Sequence, residues 1–238
     1  MGAGLVMLRE GFEASLVVGI VLAFLQRTGR RDAFRPVWLG AAAAAAISVG
    51  VGALLFVVGA ELEGSSEKLF EAATMLVAAG LLTWMIFWMR RQARSIRREL
   101  ESQVENALAS GSALALAAVA FVGVLREGVE TSLFLFSTVA GTNRLVATTS
   151  ATIGLAAALS LGYLFYRGAA HLDLRRFFQI TSVVLLCFAG WLVAQGLKEL
   201  SEAGVLPESN VLLVGAFFAL AVPTLYFFLR KPKLIAAG

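Results

Sequence analysis

The chain has 238 residues, 59% of them hydrophobic and only 15% charged, with a formal net charge of +4. Its mean hydropathy is +0.82, whereas soluble domains are about 45–50% apolar and about 25% charged. A soluble enzyme, a nucleic-acid binder and a disordered chain are all disfavoured, and the lone Cys187 leaves no internal disulfide or cysteine-based metal site.

A membrane-spanning helix needs about 20 mostly apolar residues, and seven segments qualify in chain order. The first, residues 4–25, carries Arg9, Glu10 and Glu13 in its apolar run. It lacks the early positive charge and unbroken core of a secretory signal, so it is expected to be a retained helix. The second, residues 37–60, is free of charge and rich in Ala and Gly, which predicts close helix packing. An acidic connection holding Glu61, Glu63 and Glu67 leads to the third, residues 69–89, which opens with Glu71. Residues 90–111 read as a polar, charge-rich helical extension. The fourth segment, 112–139, carries Arg126, Glu127 and Glu130. The fifth, 145–166, the sixth, 177–197, and the seventh, 211–229, contain no charged residue. His171, the only histidine, falls in the connection before the sixth and is expected to be solvated. Glu199, Glu202 and Glu208 form a second acidic stretch after it, expected to be surface.

Alternate connections are strongly basic. Arg27, Arg30, Arg31 and Arg35, then Arg90, Arg91, Arg94, Arg97 and Arg98, then Arg167, Arg175 and Arg176, and finally Arg230, Lys231 and Lys233 make fifteen cations on one side, against Lys68, Arg144 and Lys198 on the other. The positive side is cytoplasmic, which predicts an N-terminus outside and a C-terminus inside.

Residues 3–16, AGLVMLREGFEASL, align with residues 120–133, AFVGVLREGVETSL. The identities include the charges that a spanning helix should avoid. The two copies sit in the first and fourth segments, three spans apart, and therefore cross the bilayer in opposite directions. The expected fold is all-α: one transmembrane domain over residues 1–238, with seven transmembrane helices. A 3+3 inverted repeat, about 1–90 and about 111–200, is followed by a seventh helix, an arrangement found in secondary transporters. At about 1.5 Å per residue, Glu10 and Glu127 lie roughly 14 and 19 Å from the outer ends of their helices, so both fall near mid-membrane.

Residues three apart on a helix share a face, so Glu10 projects with Glu13 and Glu127 with Glu130. Arg9 and Arg126 are placed to pair with a carboxylate of the neighbouring helix, and Gly11 and Gly128 to let the two helices approach. A charge at the bilayer centre costs about 2.5–3.5 kcal/mol on insertion scales. Four carboxylates against two guanidinium groups leave the cluster anionic, which goes beyond what gluing two helices requires. Anionic oxygen suits a hard cation, whereas softer metals ask for Cys, Met or His. With Glu at the i+3 position of both copies, a Glu-x-x-His di-iron core is excluded. Transport of a hard cation is therefore the leading reading. A proton-coupled carrier of another divalent cation or small solute, with the glutamates as relay, is the alternative. A membrane ferroxidase or oxidoreductase is the remaining one.

The paired LREGFE (8–13) and LREGVE (125–130), with the flanking stretches 67–89 and 196–207, resemble the high-affinity iron permeases, of the fungal oxidase-coupled and the bacterial EfeU type. The resemblance covers nearly the whole chain. It implies a permease, not an enzyme, that takes iron across the plasma membrane (the bacterial inner membrane). Glu10, Glu13, Glu127 and Glu130 would be the metal-coordinating carboxylates, and Arg9 and Arg126 their charge balance. Iron is then a transported substrate and no cofactor is permanently bound. The resemblance further implies an extracytoplasmic oxidase, peroxidase or iron-binding partner, and no nucleic-acid partner. Four hard oxygen ligands lean towards Fe3+, while the charge count accommodates Fe2+ as well. Glu61, Glu63, Glu67 and Glu71 are expected to gather cations at the outer entrance. A shift of 108 residues pairs Glu71 with Gln179, its polar counterpart on the way out.

Overall fold

The structure, a computed structural model, describes residues 2–92, 96–140, 143–167 and 174–207. These form seven α-helices: α1 (Gly2–Arg27), α2 (Phe34–Glu61), α3 (Ser65–Gln92), α4 (Ile96–Ala109), α5 (Ala113–Ala140), α6 (Arg144–Tyr166) and α7 (Leu174–Glu202). No strand occurs among the described residues. The first six predicted segments overlie the six long helices, and the polar connection 90–111 contains α4. The predicted seventh segment, 211–229, and His171 lie outside the described residues.

Among the described residues, four helices are long and apolar enough to cross a membrane, spanning Arg31–Glu61, Ser65–Trp88, Leu145–Tyr166 and Phe177–Glu202. The other two long helices, α1 and α5, have comparable length, 26 and 28 residues, but interrupt their apolar run with an Arg and two Glu. Local chemistry sets the ends. Gly29 and Gly204, at φ 73° and 80°, take the left-handed conformation that suits a residue without Cβ. After each, the chain folds back: Arg30 N–H donates to Leu25 O at 2.9 Å, and Val205 N–H to Leu200 O at 3.0 Å. The Asn143 side chain accepts from Leu145 N–H at 2.9 Å and caps α6.

Sequential neighbours are not the main packing partners. Helix α1 lies chiefly against α6 and α5, α5 against α2 and α1, and α3 against α7. The second helix of each half is thus exchanged onto the first helix of the other. Small residues make this close. A Cβ on Gly154 of α6 would lie 2.1 Å from Gly4 O, and one on Gly40 of α2 would lie 2.1 Å from Ala117 O. Gly11 and Gly128 serve these same crossings rather than the α1–α5 contact expected of them. Gly11 faces Ala158 of α6, and Gly128 faces Ser48 of α2. Sequence spacing gives the face of a helix but not which neighbour meets it.

Two apolar clusters flank the middle of the bundle. One joins Val6 of α1 to Met75, Leu82 and Ile86 of α3, Phe134 of α5 and Leu185 and Leu192 of α7. The other joins Val21 and Leu25 of α1 to Val37 of α2, Leu116 of α5 and Val104 of α4, so the polar α4 is docked by one apolar edge. Leu39, Val49, Leu145 and Ile153 on α2 and α6 are exposed, as expected of surfaces that meet lipid rather than water. Within the 41–46 run of α2 only Ala41 and Ala44 are buried, one stripe facing α5. Lys68 at the start of α3 pairs with Glu202 at the end of α7, so these two ends share one face of the molecule.

Candidate metal centre

The two Arg-Glu-Gly-x-Glu copies meet between the apolar clusters, where α1 contacts α5. Helical spacing turns Glu10 and Glu13 to one side of α1, and Glu127 and Glu130 to one side of α5. Arg9 and Glu10 have no exposed surface, Glu13 and Glu127 are 8% and 7% exposed, and Glu130 is half-buried. One carboxylate oxygen from each of Glu10, Glu127 and Glu130 lies within 4.8 Å of the other two. Hard cations bind carboxylate oxygen at about 2.0–2.6 Å, so opposed ligand oxygens stand about 4–5 Å apart. The three therefore fit around one ion without moving their helices.

Each arginine pairs with a carboxylate of its own helix. Arg9 Nε lies 3.0 Å from Glu13 Oε1, and Arg126 Nε lies 3.2 Å from Glu130 Oε1. An i, i+4 separation puts the two side chains of each pair on one face, and this local option is met first. The two pairs differ in one respect: Glu130 lies in the close group of three although Arg126 holds it, whereas Glu13, held by Arg9, stands outside it. It still feels the charges of Arg9, Glu130 and Arg126, so the four carboxylates form one electrostatic unit. Both oxygens of Glu10, with Oε2 of Glu127 and Oε2 of Glu130, are buried without a hydrogen-bond partner. Leaving a buried carboxylate oxygen unsatisfied is costly. With one oxygen from each of these three residues in the close group, the arrangement suits a cation.

Arg126 was foreseen as a counter-charge; its seat was not. Its guanidinium carbon lies 4.4 Å from the ring centroid of Trp88 on α3, a cation–π distance. No spacing rule links residues 88 and 126. The hydroxyls flanking the site bond back to their own helices. Ser15 donates to Gly11 O at 2.7 Å and Ser132 to Gly128 O at 2.9 Å, and Thr131 and Thr83 likewise bind Glu127 O and Ala79 O. Ser132 also reaches Ser48 O at 2.8 Å, tying α5 to α2.

The remaining predicted residues do not join this group. Glu61, Glu63, Glu67 and Gln179 are exposed, and Glu71 is half-buried near the start of α3. Glu71 interacts with the charges of Glu199, Glu67 and Lys68. Glu67 and Glu71 thus come near Glu199 and Glu202 across α3 and α7, while Glu208 lies outside the described residues. Glu202 is already occupied, by Lys68 and by Lys198 Nζ at 3.4 Å.

A family model described as the iron permease FTR1 family matches residues 1–208. A protein of Escherichia coli O6:K15:H31 (strain 536) named ferrous iron permease EfeU is 36% identical over 203 residues, covering 84% of this chain and 74% of its own. Proteins of the same name from Shigella sonnei and Yersinia pestis are also 36% identical over 203 residues, covering 84% of this chain and 74% and 72% of their own. No solved structure matches.

Proposed function

This chain belongs to the iron permease FTR1 family, whose members are transporters rather than enzymes, and we propose that it carries ferrous iron inward across the plasma membrane through the carboxylates of α1 and α5. The observation that carries this reading is the convergence of Glu10, Glu127 and Glu130, one oxygen each within 4.8 Å. In this proposal those three hold the ion and Glu13 completes the set, while Arg9 and Arg126 limit the anionic excess. The ferrous form is favoured by the names of the relatives and by charge. Four carboxylates and two arginines leave two negative charges, which Fe2+ neutralises.

The chain is read as one transmembrane domain of seven spanning helices, N-terminus outside and C-terminus inside. The exchanged packing supports the inverted repeat. A two-fold operation that swaps the halves turns the α1–α6 contact into α5–α2 and returns α1–α5 and α3–α7 to themselves. A site on such an axis can be exposed to either face in turn as the repeats move. The acidic patch of Glu61, Glu63, Glu67 and Glu71 lies at the outer entrance, where it concentrates cations, and Gln179 lies on the exit side. An extracytoplasmic oxidase or iron-binding protein is the partner expected to deliver the metal.

The test is uptake by the full chain in liposomes, with Fe2+ and Fe3+ offered separately. Glu10→Gln and Glu127→Gln should insert normally and lose both iron binding and uptake. Full uptake by either variant would falsify the site.

A further inference from the structure

The two arginines of the site are related by the repeat but not by their surroundings. Arg9 is wholly buried, its side chain 0% exposed, whereas that of Arg126 is 35% exposed. In a helix the Cα–Cβ bond leans towards the N-terminus. Arg9 therefore leans towards the start of α1, where Val6 enters the apolar cluster with α3, α5 and α7. Arg126 leans towards the start of α5, and there it meets Trp88, near the end of α3. Trp88 is stacked in turn on Trp84, with centroids 6.3 Å apart and an interplanar angle of 24°. The shift of 108 residues that relates α3 to α7 places Gly196 at the position of Trp88. Gly196 packs against Leu76 and Ala72 O and has no ring to offer. Of the two arginines, only Arg126 reaches the surface.

We propose that Trp88 is a positioning residue for iron release: by seating the Arg126 guanidinium on its ring face, it keeps that cation beside Glu130, where it takes over the carboxylate as the metal departs between α3 and α5. The geometry for this exchange is present. Arg126 Nε donates to Glu130 Oε1 at 3.2 Å and lies 3.9 Å from Glu127 Oε1, so one side chain addresses two of the three converging carboxylates. A guanidinium free to leave would expose those carboxylates to rebinding of the ion. One held too rigidly by carboxylates alone would compete with loading. A ring face attracts a cation without neutralising it, which lets Arg126 stay near and still exchange. On the orientation proposed above, the ends of α3 and the start of α5 face the cytoplasm, so this is the delivery side. The inference rests on the carboxylate site of the preceding section.

The experiment uses the full chain in liposomes loaded with an iron-quenched dye, Fe2+ kept reduced outside, and equilibrium Fe2+ binding measured on the same preparations in detergent. Trp88→Phe, which keeps a ring, should retain most of the rate. Trp88→Leu should bind Fe2+ with affinity within about twofold of the parent while its maximal uptake rate falls about tenfold, a split between binding and turnover. Trp38→Leu removes an exposed ring of the same size on α2, away from the site, and should leave both quantities unchanged. Uptake by Trp88→Leu at the parent rate overturns the proposal, as does an equal loss in Trp38→Leu. If Trp88→Leu does not fold, Trp88→Tyr and Trp88→Phe decide: rates falling in the order Trp, Tyr, Phe at constant affinity support the proposal, and rates unrelated to the ring overturn it. Glu10→Gln run alongside separates the two readings. Loss of binding there with a normal Trp88→Leu rate defeats only this inference, whereas binding intact there defeats the site itself.

Discussion

Substituting Gln for Glu10 removes the charge from a carboxylate of the close group whose two oxygens are buried without a hydrogen-bond partner. The same change at Glu13 acts on a carboxylate held 3.0 Å from Arg9 and outside the close group. In the proposed set Glu10 belongs to the close group and Glu13 completes it from outside, so titration with Fe2+ should rank Glu10→Gln as the more damaging, by about tenfold over Glu13→Gln. Equal losses would mean that Glu13 binds as closely as Glu10. The positions of these residues were legible in the sequence, because a charge in an apolar helix stands out against its neighbours. Their inequality was not. It depends on which carboxylate oxygens meet between α1 and α5, a rotamer choice that spacing permits but does not select. The seat of Arg126 on Trp88 was likewise hidden, since it joins residues 38 positions apart through the approach of α3 to α5.

Glycines separate at the level of the helix into those that a neighbour needs and those that it does not. Gly154 and Gly40 touch backbone oxygens of α1 and α5, where an added Cβ would sit 2.1 Å away, while Gly50 of α2 has nothing within 4 Å. Gly154→Ala should then cost about 1–3 kcal/mol as overpacking. Gly50→Ala should gain up to about 1 kcal/mol from the better helix former. Gel filtration after graded heating checks both, and a destabilised Gly50→Ala would contradict the open space beside it. The helices themselves could be read from the sequence: long apolar runs gave six, and the charge pattern gave α4. Which helix lies against which could not. Gly11 and Gly128 were expected to bring α1 to α5, and instead they receive Ala158 and Ser48 from α6 and α2. Small residues announce close packing without naming the partner.

The molecule as a whole is expected to respond to protons as a carboxylate-lined carrier should. Binding a cation to ionised glutamates competes with their protonation, so lowering pH adds protons that must be displaced before the ion binds. Apparent iron affinity should fall as the outer pH falls, with the sign reversed on raising it. Initial uptake rates at low Fe2+ across a pH series test this, and a flat profile would argue against free carboxylates as ligands. From the fifteen-to-three division of cations across the connections, the basic connections are expected on the cytoplasmic side. Protease or label access to the connection near Arg30, from one side of the vesicle only, is the matching observation.

The exchange of second helices also constrains the order in which the chain can be assembled. When α1 leaves the ribosome, its helical partners α5 and α6 have not been made, and the contact closing that pairing, Tyr166 Oη donating to Gln26 Oε1 at 2.8 Å, spans 140 positions. Until then Arg9, Glu10 and Glu13 can satisfy one another only along their own helix, through pairs such as Arg9–Glu13. Each charge placed at mid-bilayer alone would cost about 2.5–3.5 kcal/mol. On the proposed topology, the in-helix ion pair would lower that cost while α1 waits for the second half of the protein. Synthesis that stops before α6 would strand that helix, and the quality control of the membrane would meet an exposed anionic segment rather than a half-built carrier.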